Sequence, residues 1–288
     1  MSVIDQPKRS ESVRQCDVVV QIGQTPAQAL ATVEPDAKLL HDAAAKGAVW
    51  IKPRKPNGQM GKLVRLRELH SQVLDGSELF ANLNGAVLAE SVTAPTLIDA
   101  HPNYSFWFKP RGVLSQGSKW GDHTAMPYLV AEASDRTAHL VHRLDRDACG
   151  LMVVAHTRPA VRELTALFAT RNVIKRYDII VSGSWAAETP YDCKEPLDEK
   201  PSRTCIENAV VAATMNRSHL SIRLYTGRKH QIRRHLALQG FAVVGDTRYG
   251  DKASKEPLAL MSTELEFTCP FSQKRVHCKV PKTLRELL

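Results

Sequence analysis

Short apolar runs broken by polar turns dominate the second two thirds of the chain. Residues 138–141 (AHLV) and 151–155 (LMVVA) are too short for buried helices and rich in β-branched residues, so they predict buried strands. Residues 104–109, 174–181, 219–224, 258–267 and 274–280 predict strands in the same way. In 174–181 the alternation places Tyr177, Ile179 and Val181 on one face. Residues 158–170 change to helical spacing, with Val161, Leu164, Leu167 and Phe168 on one stripe, which reads as core. Residues 123–133 predict a further helix. Residues 228–239 predict another, with Ile232, Leu236 and Leu238 apolar and Gly240 as its stop. Many strands with few helices between them predict an α+β domain built on a mixed, largely antiparallel sheet.

The first third reads differently. Residues 1–25 are polar and mixed in charge, a leader that can be disordered. Residues 26–92 predict a small α/β unit. It has helical composition at 27–30 and 37–45, a strand at 47–51, a basic stretch over 52–67, and a turn at 74–79 leading into another strand. Residues 92–95 suit a linker, and residues 97–288 form the larger domain.

The chain has 288 residues, a net charge of +9 and a pI near 9.3, which suits a polyanionic partner. Its six cysteines form no close pair of the kind that marks zinc sites, and Cys269, His277 and Cys278 read as sheet residues, so no metal site is expected. Reduced thiols suit a cytoplasmic setting. No run is long and apolar enough to span a bilayer.

Two segments concentrate chemistry. Between the runs at 138–141 and 151–155 lies His142-Arg143-Leu144-Asp145-Arg146-Asp147-Ala148-Cys149-Gly150, with two carboxylates and two guanidiniums in five positions. Strands holding such a loop present it rigidly, and an arginine beside an aspartate keeps that carboxylate ionised. Composition alone leaves Asp145 and Asp147 as rivals, and a surface salt bridge as the plainer reading. The second segment, Thr226-Gly227-Arg228-Lys229-His230-Gln231-Ile232-Arg233-Arg234-His235-Leu236, puts Arg228, Lys229 and His230 in the opening turn of the predicted helix. That is either an anion site or a solvated basic face.

The 142–145 and 226–236 segments, with Lys175-Arg176-Tyr177 between them, resemble in order the motifs of the RluA family of RNA pseudouridine synthases. The segments 107–114 and 243–250 also look like that family, so the resemblance runs over residues 97–282. It implies the pseudouridine synthase type of sheet and RNA as partner, ribosomal or transfer. It implies an isomerisation that adds no atom and changes no redox state, so no cofactor is expected. It makes Asp145 the catalytic carboxylate. Tyr177, otherwise a packed sheet aromatic, becomes the ring that stacks on the target uracil and the candidate base for its C5 proton. Arg233 becomes the partner of the aspartate. Arg143 enters the space left by a flipped nucleotide, while Arg228, Lys229, His230 and Lys109 bind RNA. Ala148-Cys149 stands where the family usually has Thr-Ser, Lys229 where Thr or Ser is commoner, and Phe108 where Asn is usual. Residues 26–92 resemble the ribosomal-protein-S-four type of RNA-binding module, which favours ribosomal RNA; the alternative is a family-specific N-terminal extension that packs on the catalytic domain. The alternatives are transfer RNA, or an RNA-binding protein on the same fold without catalysis. A monomer is expected.

Overall fold

The computed structural model describes residues 13–288, which form two compact units. The first runs to Val92 and takes in Gln116–Ala125 as well. It contains β1 (Arg14–Val19), α1 (Pro26–Leu30), α2 (Ala37–Ala45), β2 (Val49–Lys52), β3 (Val64–Arg65), β4 (Glu78–Leu83) and α3 (Gly85–Leu88). Its four strands pair antiparallel in the order β1-β4-β2-β3. Leu30, Leu40, Ala43 and Ala44 from the helices bury against Val49, Ile51, Leu79 and Ala81 of the sheet. Thr25 and Asp36 cap the two longer helices by accepting from backbone N–H groups of their first turns.

Two expectations change here. Part of the supposed leader is a strand: β1 pairs with β4 from Arg14↔Leu83 to Val19↔Glu78. Residues 1–12 of that leader lie outside the described residues. The larger domain is also not continuous from residue 97. Gln116–Ala125 belongs to the first unit, where Arg65 and Arg67 both hold Asp122, Arg67 by a fork of 2.8 and 2.9 Å. The helix predicted over 123–133 therefore begins later.

The second unit, Thr93–Ser115 and Met126–Leu288, contains β5 (Thr96–Ala100), β6 (Tyr104–Lys109), α4 (Met126–Ser134), β7 (His139–Leu140), β8 (Cys149–Ala155), α5 (Arg158–Ala169), β9 (Ile174–Ser182), β10 (Tyr191–Cys193), β11 (Thr204–Ala212), β12 (Arg217–Leu224), α6 (Gln231–Leu238), β13 (Leu260–Thr268), β14 (Arg275–Lys279) and α7 (Lys282–Arg285). The strands run β10-β11-β12-β9-β13-β8-β6-β5 in a ten-stranded sheet, with β14 beside β13 and β7 beside β8. Among the described residues only the β13–β8 pairing is parallel, so the sheet is mixed and largely antiparallel, as the pattern predicts.

The α5 stripe packs as core. Leu164 is fully buried, and Val161, Leu167 and Phe168 lie against Phe106, Leu151, Val153 and Leu265. Gly150 has a structural reason: at φ +114°, a Cβ there would stand 2.2 Å from the Ser262 carbonyl oxygen on β13. That close approach brings the loop before β8 beside β9 and β13, where the candidate chemistry gathers.

Candidate active site

A cavity of about 410 Å³ opens between the 142–148 loop, β9 and the segment preceding α6. Arg143, Asp145, Tyr177, Arg228, Lys229, His230 and Arg233 all line it. Seven of the eight residues singled out from sequence thus converge from segments up to 90 residues apart.

The loop is pinned on both sides of Asp145. Ser115 Oγ accepts from the Leu144 N–H at 2.9 Å and donates to the Leu144 carbonyl at 2.6 Å. The Lys109 ammonium donates to the carbonyls of Pro110, Arg146 and Ala148 at 3.0, 3.0 and 2.7 Å, and the Gly112 N–H also reaches the Arg146 carbonyl. His142 stacks on Phe168 with ring centroids 4.3 Å apart and accepts the Val153 N–H at 3.0 Å. Burial pushes its imidazole down to about 3, which keeps that acceptor lone pair available. Bracing of this kind needs no hydroxyl at 148 or 149. Ala148 and Cys149 are buried, and the Cys149 thiol points at the Leu260 carbonyl, 3.7 Å away.

Lys109 is therefore not an RNA-binding residue. Its side chain has no exposure, and its donors are spent on the loop. Burial lowers its ammonium to about 8, still charged at neutral pH. The sequence shows a cation and not its burial, which comes from β6 lying directly beside β8.

The segment before α6 also departs from expectation. The helix begins at Gln231, not Arg228. Gln231 is buried. Its side-chain oxygen accepts from the Arg228 N–H and Thr226 Oγ1, and its side-chain nitrogen donates to the Arg203 carbonyl and Thr204 Oγ1. These four bonds hold residues 226–230 as a loop. His230 closes it with φ +53°, a left-handed conformation that tilts its ring onto Tyr249, whose hydroxyl lies 3.0 Å from Nδ1. Its Nε2 lies 3.8 Å from Asp145 Oδ1. Burial lowers the His230 pKa although the Asp145 charge opposes it. His230 thus sits in the wall of the cavity beside Asp145, turned toward the carboxylate and Tyr249. Arg228 donates to the Pro201 carbonyl at 3.2 and 3.3 Å, while Lys229 is exposed at the rim. Arg143 is also exposed.

Arg233 and Arg234 face opposite ways from α6. Arg234 forks onto Asp198 near the surface. Arg233 is buried and forks onto Asp246 through Nε and Nη2, both at 2.7 Å, and its Nη1 lies 3.4 Å from Asp145 Oδ2. Burial works to raise the Asp246 pKa. The Arg233 fork and the N–H groups of Tyr249 and Arg248 outweigh it, and the carboxyl is held below its usual range. Sequence reasoning did not single out Asp246 or Ser115. The resemblance over 243–250 covers Asp246 without giving it a role, and the local signal was the apolar Val243-Val244-Gly245 ahead of an isolated acid.

Tyr177 is buried on the face shared with Ile179 and Val181, as the alternation predicts, and its ring edges the cavity. Burial, and behind it the Asp145 charge, push its hydroxyl well above the usual tyrosine range, and the Ser262 hydroxyl pulls the other way. Asp147 is exposed and does not line the cavity.

Away from the cavity, Cys193, Glu195 and His235 each bring a ligand-type atom within 4.8 Å of the others. Both ring nitrogens of His235 already have partners, Thr204 Oγ1 at 2.9 Å on one side and Ser202 Oγ with the Glu195 carbonyl at 3.0 Å on the other. Burial pushes the Cys193 thiol up to about 12. This histidine ties α6 to the β10–β11 segment.

A family model described as RNA pseudouridylate synthase matches residues 103–238. A tRNA pseudouridine synthase C of Vibrio cholerae is 30% identical over 202 residues, covering 58% of this chain and 82% of that protein. The chain belongs to the RNA pseudouridylate synthase family. A ribosomal large subunit pseudouridine synthase C of Vibrio cholerae is 32% identical over 203 residues, 60% of this chain and 61% of that one. The chain spans about three fifths of the length of the ribosomal relatives it matches. The family fold is also that of the human RNA pseudouridylate synthase domain containing 1 structure. It aligns with a TM-score of 0.55 and 20% identity, over 67% of this chain and 85% of that one.

Proposed function

We propose that the protein isomerises specific uridines of structured RNA to pseudouridine, with ribosomal RNA as its target. The observation that carries this reading is the carboxylate of Asp145. It is 30% exposed at the cavity floor, with a guanidinium held beside it by a second, fully buried acid.

The reaction breaks the N1–C1′ bond of a uridine, turns the base and joins C1′ to C5. An ionised carboxylate serves to attack or stabilise the electron-poor sugar carbon. Arg233 stays against the Asp145 carboxylate, so that charge has a partner when substrate removes its water. Tyr177 offers a ring face to the uracil. Its hydroxyl is protonated, so it takes a proton from C5 only while passing its own to another acceptor, and Asp145 is the carboxylate whose charge reaches it. Arg143 fills the gap left by the flipped nucleotide. Flipping costs a few kcal/mol of stacking, which a planar guanidinium partly offsets. Lys229, with Arg228 behind it, meets backbone phosphates.

A glycosidase would need a second carboxylate across the sugar. Among the described residues Asp145 is the one acid lining the cavity, and Asp246 is sealed behind Arg233. An RNA-binding protein without catalysis has no use for a carboxylate and guanidinium so placed. We further propose that the protein acts as a monomer in the cytoplasm. No helix among the described residues is long and apolar enough to cross a membrane.

Release of tritium from RNA labelled at uridine C5 tests the reading, with ribosomal and transfer RNA transcripts as separate arms. Release from ribosomal RNA is expected. Release from transfer RNA alone moves the target, and release from neither removes the proposal.

A further inference from the structure

A second cavity of about 210 Å³ lies on the far side of Leu224, which lines both. Its walls include Arg171, Arg203, Arg223, Tyr225 and Thr226. The guanidinium carbons of Arg203 and Arg223 stand 4.0 and 4.7 Å from the centre of the Tyr225 ring, so an aromatic platform orients both. Arg203 forks onto Asp192 at 2.9 and 3.1 Å. Arg171 and Arg223 have no carboxylate within ion-pair distance among the described residues. The cavity therefore carries cationic charge that the fold does not neutralise.

Arg171 occupies a position where arginine is unfavourable. It follows α5 with φ +63°. Its N–H reaches the Phe168 carbonyl, and the Asn172 N–H reaches the Leu167 carbonyl at 2.9 Å. That is the helix-ending arrangement in which glycine is preferred, because a Cβ is disfavoured at this φ. An arginine here gives up stability and places a cationic residue in the wall of the cavity. Local strain retained at a ligand-sized hollow is a pointer to binding. A third cation lies close by: the Lys175 ammonium is beside Gly227, in the wall of the first cavity, and feels the Arg171 charge.

We propose that this second cavity is a subsite for the RNA strand flanking the target uridine, in which Arg171 and Arg223 clamp a backbone phosphate. The inference rests on the reading of the protein as an RNA uridine isomerase. The clamp would hold the strand at one side of the flipped nucleotide, with Leu224 as the ridge between the two positions. The Arg223 guanidinium, already oriented by the Tyr225 ring, loses less freedom on binding, and the forks of both arginines match phosphate oxygens.

The test uses fluorescence anisotropy with a labelled twelve-residue oligouridylate across a salt series. The doubly substituted Arg171→Gly, Arg223→Gln protein should bind about tenfold more weakly at 0.1 M salt and flatten the log-affinity against log-salt slope by about one unit. The Arg171→Gly protein alone should bind more weakly and yet melt about 2 °C higher, because glycine relieves the left-handed strain. A structural role for Arg171 predicts unchanged affinity and overturns the proposal. So does an unchanged slope in the double variant. Inorganic pyrophosphate as competitor forms the second arm. If the substitutions abolish competition by pyrophosphate but leave oligouridylate affinity intact, the cavity takes a small anion and the RNA subsite is wrong. If the slope flattens as expected while the unmodified protein releases no tritium from any RNA, the subsite stands and the isomerase reading falls.

Discussion

Asp246 holds Arg233 by two hydrogen bonds of 2.7 Å and leaves one edge of the guanidinium, 3.4 Å away, for Asp145. The buried acid thus sets where the cation points, and the cation lies against the acid that faces the cavity. Removing one partner of a buried ion pair costs about 3–5 kcal/mol, because the other charge is left uncompensated. Asp246→Asn should therefore lower stability by part of that amount and turnover by about 10- to 100-fold, the range seen when an orienting partner is lost. RNA affinity should hold, since Asp246 is sealed from the cavity. Thermal melts, tritium release and RNA binding measured together check this. Unchanged turnover would show that Arg233 needs no orientation.

Asp145→Asn removes a charge and keeps the shape. The proposed chemistry has no substitute for that carboxylate, so turnover should fall below detection while RNA binding persists. Asp147→Asn, two residues along and facing away from the cavity, should stay within about threefold of the parent, as a surface change within about 0.5 kcal/mol does. Equal effects at the two positions would return the choice to the ambiguity that composition alone leaves.

The positions legible in the sequence are those whose surroundings are local. Tyr177 sits in an alternating strand, and the Asp145 loop is bounded by apolar runs on both sides. Asp246 was not legible, because its partner comes from a helix 13 residues earlier and the connection has no periodicity. β11 escaped for another reason. Its bulge between Ile206 and Asn208 shifts the alternation, and Glu207-Asn208 breaks the apolar run. The start of α6 was misplaced because apolar spacing at Ile232 and Leu236 extends naturally to Arg228. The interruption is made by four hydrogen bonds of Gln231, two of them to residues near 203.

Lys109 supplies a pH dependence. Its folded value is lowered from 10.5 to about 8 by burial. Its contribution to stability is full above about 10.5 and lost as pH falls through about 8, so deprotonation does not weaken the fold. It does weaken the loop, because a neutral amine has two N–H groups for three carbonyls. Turnover should fall as pH rises through about 8, with no matching fall in melting temperature. Lys175 is also lowered to about 8, chiefly by burial. The alkaline fall should persist in Lys175→Met. If that variant loses it, the titrating group is Lys175.

Tyr177→Phe separates the two roles of the ring. Stacking on a base is worth about 1–3 kcal/mol and either ring supplies it, so RNA affinity should change little. The hydroxyl is the part that cannot be replaced. It is held protonated by burial and by the Asp145 charge, and it serves in proton removal from C5 by passing its own proton on as it accepts another. The phenylalanine variant should therefore break the glycosidic bond and stall before the C5 proton leaves. Tritium release should drop by about 10²- to 10⁴-fold, the contribution of a positioned acid–base group. Digestion of the RNA should yield an isomer that retains its tritium. Near-normal release by Tyr177→Phe would leave the ring as a stacking platform and assign the proton to water.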